Sequence, residues 1–466
     1  VTANHGVVVV LIILLLLNVS SYWVYHNSGG NPLLLLIWLL LGLIASYAWV
    51  ERAQALTWWQ LLGHSLRGSL WLPFSGLLAF NFWRYSWQPP SGLLDQFLNH
   101  RWQILPLLLV LYLGIIGFSV RHHFSEYLPH MLRWLGLLLL LAVSLLIVQW
   151  GSDQIGGTFS RYSVRLLWLV WLNGKYLLWL DLLLRLRQQQ LALDYRWFSV
   201  GLLLVIILAW PMSGQFFAKT ATQPQIIAHR GVNGQGVQNT ISALRSTVPA
   251  QPSLVEIDLR TTHDQQFIVS HDADTQHLTG QANNIAHTNL AHLQHLTLTE
   301  NGQHAHYASF ADYLQTAQKV KQPLLIELKA SDHFQRMARE FVQQYRTKLP
   351  ASAQFHSASL TLVNLLKQAR FTPVGYILPF TQTGLPATHA DFYSVDWRTL
   401  NPLIVAQARQ QGKPLYVWTV DQAWALQAVR HLNATVVITD QTSQVQQQLH
   451  QPAGYNGNLL LLLANF

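Results

Sequence analysis

Four short segments of this chain place acids, bases and histidines inside stretches that otherwise read as apolar strands. Ile226-Ile-Ala runs into His229-Arg230-Gly231, and Glu256-Ile-Asp258 sits within a second stretch. A third ends His271-Asp272, and a fourth holds Glu327-Leu-Lys329. In the pairs 256/258 and 327/329 the spacing is two, so on an extended strand both side chains face the same way. Glu256, Asp258 and Glu327 supply hard oxygen ligands suited to one divalent cation, Mg²⁺ or Ca²⁺, whose charge would relieve the repulsion among them. Arg230 and Lys329 suit a phosphate, the first through its fork of donors and the second as a point charge. His229 and His271 titrate near neutrality and can serve as proton donor and acceptor on opposite sides of a phosphorus.

Each residue has an ordinary structural reading as well. The chain has 21 histidines, and one histidine alone is more often a surface or hydrogen-bonded side chain than a catalyst. Glu256 and Asp258 could simply pair with Arg260. Four strand ends carrying such groups together are harder to explain, because a packed interior would otherwise bury unpaired charge. Specificity lies in the constellation.

The elements that must position these residues follow from the hydropathy pattern. Strand-like runs occur at 225–228, 254–259, 266–270, 324–328, 353–355, 373–378, 391–395, 414–420 and 435–438. Helical patterns separate most of them, at 240–248, 310–320, 332–345, 361–368, 402–411 and 421–431. Such alternation fits an α/β (β/α)8 TIM barrel, with an open doubly wound sheet as the structural alternative. Nine runs exceed a closed barrel by one. Only residues 261–265 separate the second and third, too short a link for parallel strands, so they should form a β-hairpin outside the eight. A turn at His263-Asp264 then sets residue 271 across from about 257, bringing His271 beside Glu256 and Asp258.

The segments His229-Arg230-Gly231, Asn239-Thr240, Glu256-Ile-Asp258, His271-Asp272, Glu327-Leu-Lys329, Trp418-Thr419-Val420 and Thr439-Asp440 resemble, in order and spacing, the motifs of the glycerophosphodiester phosphodiesterase family. The resemblance covers about 225 to 445, and the whole chain is similar to the membrane-anchored branch, in which a multi-span domain precedes the barrel. It implies Glu256, Asp258 and Glu327 as metal ligands, His229 and His271 as general acid and base, and Arg230 and Lys329 as the phosphate clamp. It also implies hydrolysis of glycerophosphodiesters to glycerol 3-phosphate and an alcohol. Where the family usually has Glu before Asn-Thr, this chain has Gln238 next to Asn239, which removes a charge near the cation or behind its ligands. Trp418 is a candidate apolar wall for the glycerol moiety, with core packing as the other reading, and His356 a candidate contact at the rim.

Composition divides the chain in two. Overall, 51% of the residues are hydrophobic and 11% charged, against roughly one-quarter charged in an ordinary soluble protein. Residues 1–220 hold 13 Lys plus Arg against 6 acids in long Leu-rich runs, and residues 221–466 hold 16 against 14. The net charge of +9 thus sits mostly on the apolar half, and no basic cluster in the rest points to nucleic acid. There is no Cys, which excludes disulfides and thiolate chemistry. The sequence starts at Val1, close to the first apolar run, which an alternative start codon or a missing N-terminal piece would explain.

Seven runs approach the about 20 apolar residues a spanning helix needs, near 7–26, 33–50, 68–83, 102–120, 131–149, 164–184 and 197–213. The third is short and contains Pro73. One set of loops carries Arg52, Arg67, Arg121, Arg133, Arg185, Arg187 and Arg196, and the other only Arg84, Arg101 and Arg161. The excess marks the cytoplasmic side and puts the domain after Met212 outside the cell. Lys175, with Asp181 six residues on, is either a functional group in the sixth span or a snorkelling or internally paired one. The expected organisation is a membrane domain at 1–220, a barrel at 221–450 and a short tail at 451–466 whose Leu459–Leu463 run packs on the barrel or lies at an interface.

The leading expectation is a membrane-tethered hydrolase acting on deacylated phospholipids or polyglycerol-phosphate polymers outside the cell. A lysophospholipid or lipid-headgroup phosphodiesterase is the alternative within enzymes, and a phosphodiester-binding receptor or transporter the alternative outside them. Two histidines, with no nucleophile clearly activated for a covalent intermediate, suit closure of the neighbouring glycerol hydroxyl onto phosphorus as a cyclic phosphate. Which histidine starts as base stays open.

Overall fold

The computed structural model describes residues 103–104, 106–114, 124–186 and 223–450, the last with breaks at 331–333, 380, 382–383 and 433, together with positions 59, 203, 207, 210 and 459. The expected spans at 7–26, 33–50 and 68–83, almost all of 197–213 and most of the loop arginines lie outside these residues.

The strands are β1 (Gln225–Ala228), β2 (Leu254–Thr261), β3 (Phe267–Val269), β4 (Thr297–Glu300), β5 (Gln303–His306), β6 (Leu324–Leu328), β7 (Gln354–Ser357), β8 (Val374–Leu378), β9 (Phe392–Asp396), β10 (Leu415–Trp418) and β11 (Val436–Thr439). Their order is β1-β11-β10-β9-β8-β7-β6-β2-β3, and a further β1–β2 pairing closes eight parallel strands into a barrel. This settles the choice against an open sheet. Covered on both faces, the barrel strands are near-continuous apolar runs, as in Leu-Leu-Ile-Glu-Leu of β6, buried throughout. The surrounding helices show the 3.6-residue period: Phe334–Tyr345 buries Met337, Ala338, Phe341 and Tyr345 against the strands. Their starts are capped by side chains, Thr240 Oγ1 accepting from Ala243 N at 3.2 Å and Asn401 Oδ1 from Ile404 N at 3.1 Å.

β3 pairs antiparallel with β2 as the hairpin length requires, with Leu259 opposite Val269. That register continues to residue 271 opposite 257, as expected. The stretch 272–309, to which no elements were assigned from sequence, holds a separate two-stranded hairpin of β4 and β5. Its strands bury only Leu298, so they show no apolar alternation. Its turn is Asn301-Gly302, both residues at positive φ (53° and 72°), the sequence signal of a two-residue hairpin turn.

Before the barrel, α1 (Phe124–Ile155) and α2 (Gly157–Leu186) pack against each other across a turn at Gly156 (φ 74°). Leu128–Ile155 is long and apolar enough to cross a membrane, and among the described residues it is the one helix that is. Its outward-facing Leu132, Leu139, Leu140 and Ile147 are 57–63% exposed, an apolar surface that water does not favour and lipid does. The sixth expected span becomes α2, where Arg161, Arg165, Lys175, Asp181 and Arg185 interrupt the apolar run. Within the described residues, then, one helix qualifies as a span and packs on a less apolar partner, and the other expected spans lie mostly outside them. The Lys175 ammonium is buried, 5.1 Å from the centre of the Trp171 ring. Leu459 of the expected tail donates its backbone N–H to Asp153 Oδ2, at the end of α1, at 3.0 Å.

Candidate active site

All four charged segments reach the C-terminal end of the barrel. His229 begins the turn that leaves β1, Glu256 and Asp258 lie on β2, Glu327 is the fourth residue of β6, and Lys329 directly follows that strand. Asp258 stands beside Glu327 in the β2–β6 register, and Glu327 beside His356 in the β6–β7 register, so the three form a row across adjacent strands. Next in that row is Gly375 of β8, where a Cβ would fall 2.1 Å from the Phe392 ring. Glycine thus leaves room for Phe392, which stacks on Tyr416 at 4.0 Å and makes an apolar floor under the row.

Each of the two candidate histidines has its own carboxylate. His229 Nδ1 lies 2.8 Å from Asp440 Oδ1, just past β11, and His271 Nδ1 lies 2.8 Å from Asp272 Oδ1. Burial would lower the His229 pKa, but the hydrogen bond to Asp440 and the charge of Glu256 outweigh it and raise the value above its ordinary one. For His271, burial and the nearby Lys329 win over Asp258 and Asp272, and its pKa falls. The site therefore pushes two like rings in opposite directions. The Asp440 backbone N–H in turn donates to Asp421 Oδ1 at 2.8 Å.

Lys329 Nζ sits 2.9 Å from both Asp258 Oδ1 and Glu327 Oε1. Burial would lower its pKa, and the two carboxylates raise it instead. Asp258, whose burial would favour the neutral acid, is held far below the usual carboxylate range by Lys329 and Arg230. Its other oxygen accepts from Asn239 Nδ2 at 2.8 Å, while Asn239 Oδ1 takes the Asp258 N–H at 3.1 Å. Glu327 goes the other way, because burial with Asp258 and Glu256 nearby exceeds the attraction of Lys329.

The donor atoms that converge most closely belong to Glu256, Glu327 and His356, which lie within 4.8 Å of one another. This cluster shares Glu256 and Glu327 with the expected all-carboxylate set and adds His356. Asp258 is engaged by Lys329 and Asn239, and His356, expected only as a rim contact, joins Glu256 and Glu327. His356 is 2% exposed, and neither ring nitrogen has a hydrogen-bond partner. A buried polar group without partners is costly, as are neighbouring buried carboxylates without a cation. Both features fit a divalent cation at this cluster.

Gln238 is placed by Arg230 and by Glu300, the second of which the sequence reading did not single out. Its carbonyl accepts from Arg230 Nη1, while its side-chain and backbone N–H groups donate to Glu300 at 2.6 and 2.8 Å. Glu300, at the end of β4, thus stands behind the position where the charge was expected to be missing. Trp418 is half-buried and lines the same cavity as Ile377, Pro379, Ile438, His229, His271, Arg230 and Lys329. This supports the apolar wall. The cavity, about 240 Å³, is smaller than the roughly 300–1,000 Å³ typical for drug-sized ligands and suits a small headgroup.

Asp440 and Asp272 stood within the quoted motifs without a role, and Glu300 could be reached only through the Asn301-Gly302 turn signal.

Residues 229–444 match the sequence profile of the Glycerophosphoryl diester phosphodiesterase family. The Bacillus subtilis (strain 168) protein YhdW, named as a candidate glycerophosphodiester phosphodiesterase, is 25% identical over 230 residues, covering 46% of this chain and 93% of that one. A lysophospholipase D of Rattus norvegicus is 37% identical over 60 residues, 13% of this chain and 19% of that one. Among solved structures, a glycerophosphodiester phosphodiesterase of Parabacteroides distasonis is 24% identical with a TM-score of 0.43, covering 49% of this chain and 98% of that one.

Proposed function

We propose, starting from a barrel that is a hydrolase of the glycerophosphodiester phosphodiesterase type, that this chain cleaves small glycerophosphodiesters at a membrane through a cyclic phosphate, with His271 as first base and His229 as first acid. The observation that carries this reading is the pair of carboxylate-bound histidines lining one cavity with Arg230 and Lys329. Neutral His271 takes the proton of the glycerol hydroxyl next to the ester as that oxygen bonds to phosphorus. The bond to the alcohol oxygen breaks, and protonated His229 donates to the departing oxygen. Water then opens the five-membered ring with the roles exchanged. Arg230 and Lys329 offset the charge on the phosphoryl oxygens, and Trp418 shields the glycerol carbons. Glu256, Glu327 and His356 would hold a divalent cation, which when bound supplies Lewis-acid stabilisation of the phosphate.

The test is turnover of the full-length protein in detergent on a phosphodiester whose adjacent glycerol hydroxyl is replaced by hydrogen. Near-complete loss relative to the parent substrate is expected, and hydrolysis at the parent rate would replace cyclisation by direct attack of water.

The apolar face of α1 supports attachment to a bilayer, and the arginine distribution supports a multi-span anchor with the barrel outside the cell. A polyglycerol-phosphate substrate suits an anchored enzyme. The short match to a lysophospholipase D supports a second substrate class, a lysophospholipid with its headgroup in the cavity. Parallel assays on glycerophosphocholine, lysophosphatidylcholine and a glycerol-phosphate oligomer separate these three.

A further inference from the structure

We propose that His356 makes this centre selective for a first-row transition-metal dication, of the Mn²⁺ to Zn²⁺ series, over Mg²⁺ and Ca²⁺. Its use in catalysis rests on the function proposed above; its binding does not.

His356 projects from β7 into the row that holds Glu327, and its Nε2 lies 3.5 Å from Glu256 Oε1. That separation is at the limit for a hydrogen bond, and none is formed. It is close to the span of two ligands that share a cation at about 2.0–2.2 Å. The ring is buried over the aromatic floor, its centre 6.5 Å from that of Phe392, so water does not readily satisfy its nitrogens. Meanwhile Asp258, the third carboxylate of the row, is occupied by Lys329 and Asn239. The closest donor set is therefore two carboxylates and one imidazole. Hard Mg²⁺ and Ca²⁺ take oxygen ligands, whereas an imidazole nitrogen adds affinity along the series from Mn²⁺ towards Zn²⁺. An imidazole nitrogen set beside the two carboxylates, with Lys329 2.9 Å from Asp258 and Glu327 alike, is the physical basis of the selectivity.

The experiment uses full-length protein in detergent, stripped with a chelator and reloaded with Mn²⁺. Pulsed EPR should detect a directly coordinated ¹⁴N nucleus in the parent, retained in His229→Ala and lost in His356→Gln. In equilibrium competition, His356→Gln should reduce the preference for Zn²⁺ over Ca²⁺ by about tenfold or more. Only oxygen ligation in the parent would overturn the proposal, and this measurement does not depend on a variant that folds. Unchanged selectivity in a folded His356→Gln would overturn it as well. Nitrogen ligation in a protein that fails to hydrolyse phosphodiesters would uphold this proposal and remove the functional one.

Discussion

Asp440 favours the protonated ring of His229, because a carboxylate 2.8 Å from Nδ1 fixes the tautomer and stabilises the charge. His271 is pushed the opposite way by burial and Lys329. A rate profile governed by these two rings rises with pH as His271 loses its proton and falls as His229 loses its own. Asp440→Asn removes one of the charges that raise the His229 pKa, so the alkaline limb of kcat/KM against pH should move to lower pH, with the acid limb in place. If the acid limb moves instead, the assignment of acid and base is reversed. Substitution of either histidine by alanine should lower kcat by roughly 10²–10⁴-fold, while equilibrium dialysis still finds the metal bound.

At the scale of elements, eight parallel strand ends build the site and the β4–β5 hairpin tunes it. Glu300 at the end of β4 holds Gln238, and Gln238 holds the Arg230 guanidinium. Glu300 touches no proposed substrate atom, so it acts through the position of Arg230. Glu300→Ala should raise KM by about 10-fold, with a smaller change in kcat, and Glu300→Gln should recover part of the loss because it retains an acceptor. A purely structural role would instead lower the melting temperature and leave KM of the folded protein unchanged. Deletion of residues 297–306 should have at least the effect of Glu300→Ala on KM, because it removes that anchor.

For the whole molecule, the barrel is preceded by a helix pair whose first helix is long and apolar enough to cross a membrane. Lysine in place of Leu139, which is 57% exposed near the centre of α1, should cost about 2.5–3.5 kcal/mol of insertion. The variant should shift towards the soluble or degraded fraction on membrane flotation, and parent-like recovery with membranes would show that α1 does not carry the attachment. Protease added outside intact cells should cut residues beyond 212 if the loop arginines set the topology. Protection would put the barrel in the cytoplasm.

Much of this was written locally in the chain. Alternating strand and helix patterns leave a barrel or an open sheet, and the five residues 261–265, with His263-Asp264 among them, are too few for a parallel crossover, so the hairpin that carries His271 towards Asp258 followed from length alone. The two-residue spacings 256/258 and 327/329 likewise fixed which side chains share a strand face. Partnership between distant strands was not legible. Nothing near Asp258 in sequence says that Lys329, 71 positions away, will reach its carboxylate, or that His356 will stand beside Glu327. Those contacts depend on barrel closure and on the stagger of neighbouring strands, which no local pattern encodes. The pairings of Asp440 with His229, 211 residues apart, and of Glu300 with Gln238 were decided in the same way, by the tertiary packing that brings strand ends and hairpin to one rim.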